Sequence, residues 1–120
     1  MGDERHEEPV KLSLMVIRVA DLASSRRFYE QLGLAFHEEQ HGSGPEHLST
    51  VIGGTVVELY PVGSGPSTQG LRLGLVVANL TEIAANSRES VIEDSDRDGH
   101  RFVVLRDPDG HKVELTEPVA

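Results

Sequence analysis

The sequence predicts an α+β domain made of two βαβββ modules in tandem. Two observations carry that reading. The segment Val16-Ile-Arg-Val-Ala-Asp-Leu22 is echoed by Leu75-Val-Val-Ala-Asn-Leu80, and Thr55-Val-Val-Glu-Leu-Tyr-Pro61 is echoed by Lys112-Val-Glu-Leu-Thr-Glu-Pro118. Val77 follows Val19 by 58 positions and Glu114 follows Glu58 by 56, so two separate motifs recur at nearly one offset. A shared offset marks a repeated unit rather than coincidence. Each copy carries one glutamate in a late strand, Glu58 and Glu114, and pseudo-symmetry would turn both toward a shared cavity.

The elements follow in order. Residues 1–10 are polar and read as a solvated tail. Leu12 to Val19 is an apolar strand. Asp21 then caps a helix from about Leu22 to Leu32, which packs through Leu22, Phe28, Tyr29 and Leu32 and stops at Gly33. Phe36 to Pro45 is polar and contains glycine, which suits a strand followed by a mobile loop. His47 to Ile52 and Thr55 to Tyr60 flank Gly53-Gly54, a two-residue hairpin signal. Module one therefore spans residues 11–61, and the Gly-, Ser- and Pro-rich residues 62–70 form a linker. Module two, residues 71–118, starts with a strand from Leu71 to Val77. Asn79-Leu-Thr-Glu82 has capping-box spacing before a helix running to about Ser90. A hairpin of Phe102 to Arg106 and Lys112 to Thr116 closes the chain around Asp107-Pro-Asp-Gly110.

Composition narrows the function. At 120 residues the two modules must share one core. A formal net charge of −9, with basic residues scattered singly among acids, argues against nucleic acid, because phosphate binding needs clustered Lys and Arg. No apolar run is long enough to span a bilayer, and the N-terminus has no apolar signal segment, so a cytoplasmic protein without a membrane partner is expected. The absence of cysteine removes disulfides, thiolate nucleophiles and thiolate metal sites.

Several strings point to one family: Val19-Ala-Asp-Leu22 before a helix ending Phe28-Tyr-x-x-Leu-Gly-Leu34, and the closing Asp107-Pro-Asp-Gly-His-x-Val-Glu-Leu115. With the repeated βαβββ order, the chain resembles the vicinal oxygen chelate superfamily, also called the glyoxalase/bleomycin resistance/dioxygenase family, from Leu12 to Pro118. That fold hosts isomerases, dioxygenases, lyases, epimerases, thiol transferases and drug-sequestering proteins, so it does not name a chemistry.

Strand alternation assigns faces. With Gly53-Gly54 as the turn, Ser49 falls opposite Glu58 and His47 opposite Tyr60, so His47, Ser49, Val51, Val56, Glu58 and Tyr60 share one face. Leu48, Thr50, Ile52, Val57 and Leu59 face the helix. In the closing hairpin, Val103, Leu105, Val113 and Leu115 form the core face, leaving Phe102, Arg106, Lys112, Glu114 and Thr116 on the other. Parity places Leu14, Val16 and Arg18 on the pocket side of module one, and Arg72, Gly74 and Val76 on that of module two. The resemblance implies that this non-helix face is the concave pocket.

The resemblance also implies where a divalent ion would sit, with one ligand from the first and one from the last strand of each module. Glu58 and Glu114 match the last-strand positions. Leu14 and Arg72 stand at the first-strand positions and cannot ligate, since Leu has no lone pair and a guanidinium no acceptor. Hence no metal or other cofactor is expected at that position, and a divalent metal would need another ligand, with His47 beside Glu58 the candidate. By strand rise His47 lies roughly 7 Å from the level of Ser49. His37, His41, His100 and His111 fall in loops or at strand ends, where solvation or turn structure accounts for them. Arg72 is expected to neutralise Glu114, Glu58 or both, or to grip an anionic ligand.

Three functions remain open. The first is a metal-free module binding a small organic molecule, as in drug-sequestering relatives. The second is a divalent-metal enzyme of glyoxalase or dioxygenase type with a non-standard ligand set. The third is a metal-free enzyme using Glu58 or Glu114 as base with Arg72 stabilising an oxyanion. A homodimer is expected, because small modules leave apolar sheet surface exposed and relatives pair modules within or across chains.

Overall fold

The computed structural model describes residues 9–63 and 65–119; residues 1–8 of the expected tail, Ser64 of the linker and Ala120 lie outside the described residues. Module one contains β1 (Leu14–Val19), α1 (Leu22–Glu30), β2 (His37–Glu39), β3 (His47–Ile52) and β4 (Thr55–Pro61). Module two contains β5 (Arg72–Val76), α2 (Leu80–Asn86), a 3-10 turn at Arg88–Ser90, β6 (Val91–Arg97), β7 (His100–Arg106) and β8 (Lys112–Thr116). Each forms a four-stranded sheet, ordered β1-β4-β3-β2 and β5-β8-β7-β6. The first and last strands of each module run parallel, with Val16 beside Glu58 and Gly74 beside Glu114. The repeat in sequence is thus a repeat in space.

Local chemistry explains the ends of α1. Asp21 accepts hydrogen bonds from the Ala23 amide and the Ser24 hydroxyl. The Ser24 hydroxyl, and after it the Ala23 amide, hold the Asp21 carboxyl below its ordinary range. At the other end Leu34 N–H donates to the Tyr29 carbonyl and Gly33 N–H to that of Glu30, with Gly33 at φ 107°. This is a Schellman closure, which favours glycine at the left-handed position. The helix stops at Glu30, short of the expected Leu32, because residues 31–33 serve that closure.

Module two departs further from expectation. Asn79 makes no side-chain cap hydrogen bond, and its φ of −123° and ψ of 59° lie outside the extended conformation that aims a capping side chain at the first amides. The expected capping box does not form, and α2 ends at Asn86 rather than near Ser90. The βαβββ order calls for a strand between α2 and the closing hairpin, to which the sequence reading assigns no residues; it is β6. It pairs with β7 through a bulge between Val91 and Glu93 and turns at Asp98-Gly99, where φ is 54° and 82°. Positive φ at both turn residues is what a type I′ hairpin requires.

The predicted parity holds. Ile17, Val19, Leu48, Val57 and Leu59 of the first sheet and Val103, Leu105, Val113 and Leu115 of the second are buried in one apolar cluster with Phe28, Tyr29, Leu80 and Ile83. Each such side chain contributes about 1.5–3 kcal/mol when removed from water. Register agrees too, with Ser49 opposite Glu58 and Val104 opposite Glu114.

The Asp107–His111 turn joins the modules. Tyr29 donates its hydroxyl to Asp107 Oδ2 at 2.6 Å, Ala20 N–H donates to Asp109 Oδ1 at 2.8 Å, and Thr68 Oγ1 meets His111 Nε2 at 2.8 Å. His111, expected only as a turn residue, is fully buried within this joint. No helix among the described residues is long and apolar enough to cross a membrane.

Candidate functional site

The sheet face opposite the helices carries the predicted site residues in rows across the strands. In module one the register aligns Leu14 with Val56 and Val51, Val16 with Glu58 and Ser49, and Arg18 with Tyr60. His47 completes the last row, its ring stacked on Tyr60 at 4.1 Å and 10°, while the Arg18 guanidinium lies 5.4 Å from the Tyr60 ring centre. In module two the 58- and 56-residue offsets place Val76 and Thr116 where module one has Arg18 and Tyr60. Phe102 lies at the same level, with the Arg97 guanidinium 3.6 Å from its ring centre. The row of module one carries Arg18, Tyr60 and His47, and that of module two Val76, Thr116 and Phe102.

Accessibility divides the expected pocket residues. His47, Ser49 and Phe102 are buried, behind neighbouring side chains. Arg18, Glu58, Tyr60, Arg72 and Glu114 keep partial exposure. Leu14, Val51 and Val76 are exposed by 51%, 61% and 66%, unusual for large aliphatic residues inside strands. All three lie on the pocket side, so both faces present apolar surface to solvent.

The two glutamates have different partners. Arg72 Nε donates to Glu114 Oε1, which realises the expected neutralisation. Glu58 instead lies 3.6 Å from His47 Nε2. His47 and Glu58 are thus much closer than the roughly 7 Å expected from strand rise, because their side chains lean toward one another. The ion implied by the resemblance does not fit the residues at its position: Leu14 offers no donor atom, and the Arg72 guanidinium already occupies the Glu114 carboxylate.

Two residues that the sequence reading did not single out as ligands belong to this region. Glu39, on β2, pairs opposite His47, and its Oε1 lies 3.2 Å from His47 Nε2. His41, set aside as a solvated loop histidine, places its ring 5.1 Å from that of His47. The signal was the alternation His37, Glu39, His41, which puts potential ligands on one side of an extended segment.

A groove of about 330 Å³ runs between the modules on the helix side, lined by Leu34, Ile52, Leu75, Val77 and Ile83. Glu82 is the one ionisable group among its lining residues, and of the pocket-side rows Val76 alone reaches it.

The comparison with known sequences decides the family: residues 11–115 match the Glyoxalase/Bleomycin resistance protein/Dioxygenase superfamily. The chain belongs to that superfamily. No curated protein matches its sequence significantly. Among solved structures it is similar to the oxidase ChaP-H2, at 22% identity over 93% of this chain and 96% of that one, with a TM-score of 0.73. It is also similar to the oxidase ChaP-H1, at 25% identity over 92% and 97% with a TM-score of 0.71. TnmS3, an antibiotic binding protein from Streptomyces sp. CB03234, shows 24% identity over 92% and 97%, again with a TM-score of 0.71. Members of the superfamily often bind a divalent metal, and His/carboxylate groups able to hold one are present in this chain.

Proposed function

We propose that this superfamily member binds a small organic molecule against its pocket-side sheet faces, in a cleft completed by a second copy of the chain. The exposure of Leu14, Val51 and Val76 carries the reading. An apolar wall bordered by a few polar groups, here Arg18, Glu58 and Tyr60, is the usual make-up of a small-molecule site. Dimerisation would cover part of the same apolar surface. Arg72, paired with Glu114, stands where metal-dependent relatives place a ligand, which favours binding over metal-assisted turnover at that position. The name of TnmS3 is consistent with this reading, and a cytoplasmic setting suits it.

The test is a thermal-shift screen of small organic compounds, antibiotics included, on the parent chain and on Tyr60→Ala and Val51→Arg. A compound that raises Tm in the parent but not in either variant is expected. Hits indifferent to both substitutions, or none in the parent, would overturn the reading. Light scattering at micromolar concentration should give twice the chain mass, and a monomer alone would remove the shared cleft.

A further inference from the structure

His47 is buried, with 1% of its surface exposed, yet its hydrogen bonds leave one ring nitrogen in an unusual setting. Nδ1 lies 3.3 Å from the Pro45 carbonyl, which can only accept, so Nδ1 carries a proton. In the neutral ring Nε2 then presents a lone pair. That lone pair faces two further acceptors, Glu39 Oε1 at 3.2 Å and Glu58 Oε2 at 3.6 Å. His41 brings a second imidazole, its Nε2 3.7 Å from Glu39 Oε1. One ligand atom from each of Glu39, His41, His47 and Glu58 falls within 4.8 Å of all the others. Acceptors converging on acceptors need a positive charge between them, which either a proton on Nε2 or a metal ion supplies.

The spacing suggests which cation. A tetrahedral ion with bonds of about 2.0–2.1 Å holds its ligand atoms about 3.4 Å apart. Three of the six separations are 3.2, 3.6 and 3.7 Å, and the other three lie within 4.8 Å. We propose that His41, His47, Glu39 and Glu58 form a four-ligand site for a divalent transition ion, with zinc the best geometric match, contained wholly within module one. Mixed imidazole and carboxylate ligands suit zinc better than the hard ions magnesium or calcium, which prefer all-oxygen shells.

The surroundings complete the arrangement. The Pro45 carbonyl fixes the His47 ring through Nδ1, the outer contact that ligating histidines usually make. His37 Nε2 lies 2.9 Å from Glu39 Oε2, leaving Oε1 for the ion. Four protein ligands leave no open coordination position, so the ion is structural: it ties β2 and the loop after it to the β3–β4 hairpin and holds Glu58 at the border of the apolar wall. The site goes beyond the ligand-binding reading and does not rest on it.

The test uses the full chain, stripped with a chelator and dialysed. Zinc is titrated by calorimetry, Tm is followed against zinc concentration, and cobalt(II) is substituted for its visible spectrum. One equivalent of zinc should bind, Tm should rise with zinc, and cobalt should give the intense visible bands of a tetrahedral ion. His41→Ala removes an exposed side chain without disturbing the core, and should weaken zinc binding by about tenfold or more. Glu39→Gln should weaken it as well, whereas His100→Ala and Glu114→Gln should not. Absence of saturable zinc binding would leave only a protonated His47 bridging two carboxylates and would overturn the proposal. So would binding unaffected by His41→Ala and Glu39→Gln, binding lost in Glu114→Gln, or an octahedral cobalt spectrum.

Discussion

The molecule holds two histidine–carboxylate clusters that use the same groups to opposite ends. At the joint between modules, Asp107 is saturated with donors. Its Oδ1 accepts the Asp109 and His111 amides, and its Oδ2 accepts the Tyr29 hydroxyl and His111 Nδ1–H. His111 Nε2 is in turn met by Thr68 Oγ1. No lone pair of Asp107 remains for an ion, although Asp107, Asp109 and His111 are close enough together to suggest one. Around His47 the balance is reversed, with acceptors outnumbering donors. Proximity of ligand-type residues is therefore a weak guide to a metal site, and the hydrogen-bond ledger around them is a better one.

The sharpest way to break this comparison is to remove the centre of the saturated cluster. Asp107→Ala leaves the Tyr29 hydroxyl, His111 Nδ1 and two turn amides without their acceptor. The expected loss is on the order of 3–5 kcal/mol, as for breaking one side of a buried charged network. Urea denaturation measures it. A loss under about 1 kcal/mol would mean that water replaces the carboxylate and that the joint is not sealed.

Tyr29→Phe is the milder test, removing one hydrogen bond to a charged acceptor at a cost of about 1.5–3 kcal/mol. It also carries a pH signature. Burial, followed by the hydrogen bond to Asp107, pushes the Tyr29 phenol well above its ordinary value of 10.0. Below pH 10 the stabilisation is fully present. As pH rises past that value the unfolded chain releases a proton that the fold retains, so stability should fall. Tyr29→Phe should flatten that alkaline decline; equal slopes in parent and variant would show that another group sets it.

The contrast between the clusters also marks what could be read in advance. The repeat offset identified the modules, and alternation placed Glu58 opposite Ser49 and Glu114 opposite Val104. These are properties of local pattern. Strand β6 stayed hidden because Val91-Ile-Glu-Asp-Ser-Asp-Arg97 is mostly polar and bulged, although Asp98-Gly99 was a usable hairpin signal. The Glu39–His41–His47–Glu58 group was out of reach for a different reason. The alternation His37, Glu39, His41 marked half of it, but bringing these residues to His47 and Glu58 depends on β2 pairing with β3 and on which way the following loop bends. His111 looked like a turn residue only, because its partner Thr68 is 43 positions away in sequence and Tyr29, which shares Asp107 with it, is 78 positions from Asp107.

Arg72→Ala probes a third kind of ion pair. Arg72 and Glu114 are 44% and 31% exposed at the side chain, so solvent screens them and the pair should contribute about 0–1 kcal/mol. A larger loss by urea denaturation would indicate that the pair is covered in solution, as a dimer-closed cleft would cover it. Measuring the loss at two protein concentrations separates the cases, because only a dimer makes it concentration-dependent.

The smallest effect is expected from His41→Ala in chelator-treated protein. The side chain is 73% exposed, and its nearest charged group is Glu39 at 3.7 Å. Without an ion it holds nothing together, and stability should stay within about 0.5 kcal/mol of the parent. That near-silence sets this cluster apart from the joint, where every polar atom already carries structural weight. If His41→Ala in metal-free protein instead costs as much as Tyr29→Phe, the two clusters are the same kind of object, and the acceptor-rich group around His47 is a structural hydrogen-bond network after all.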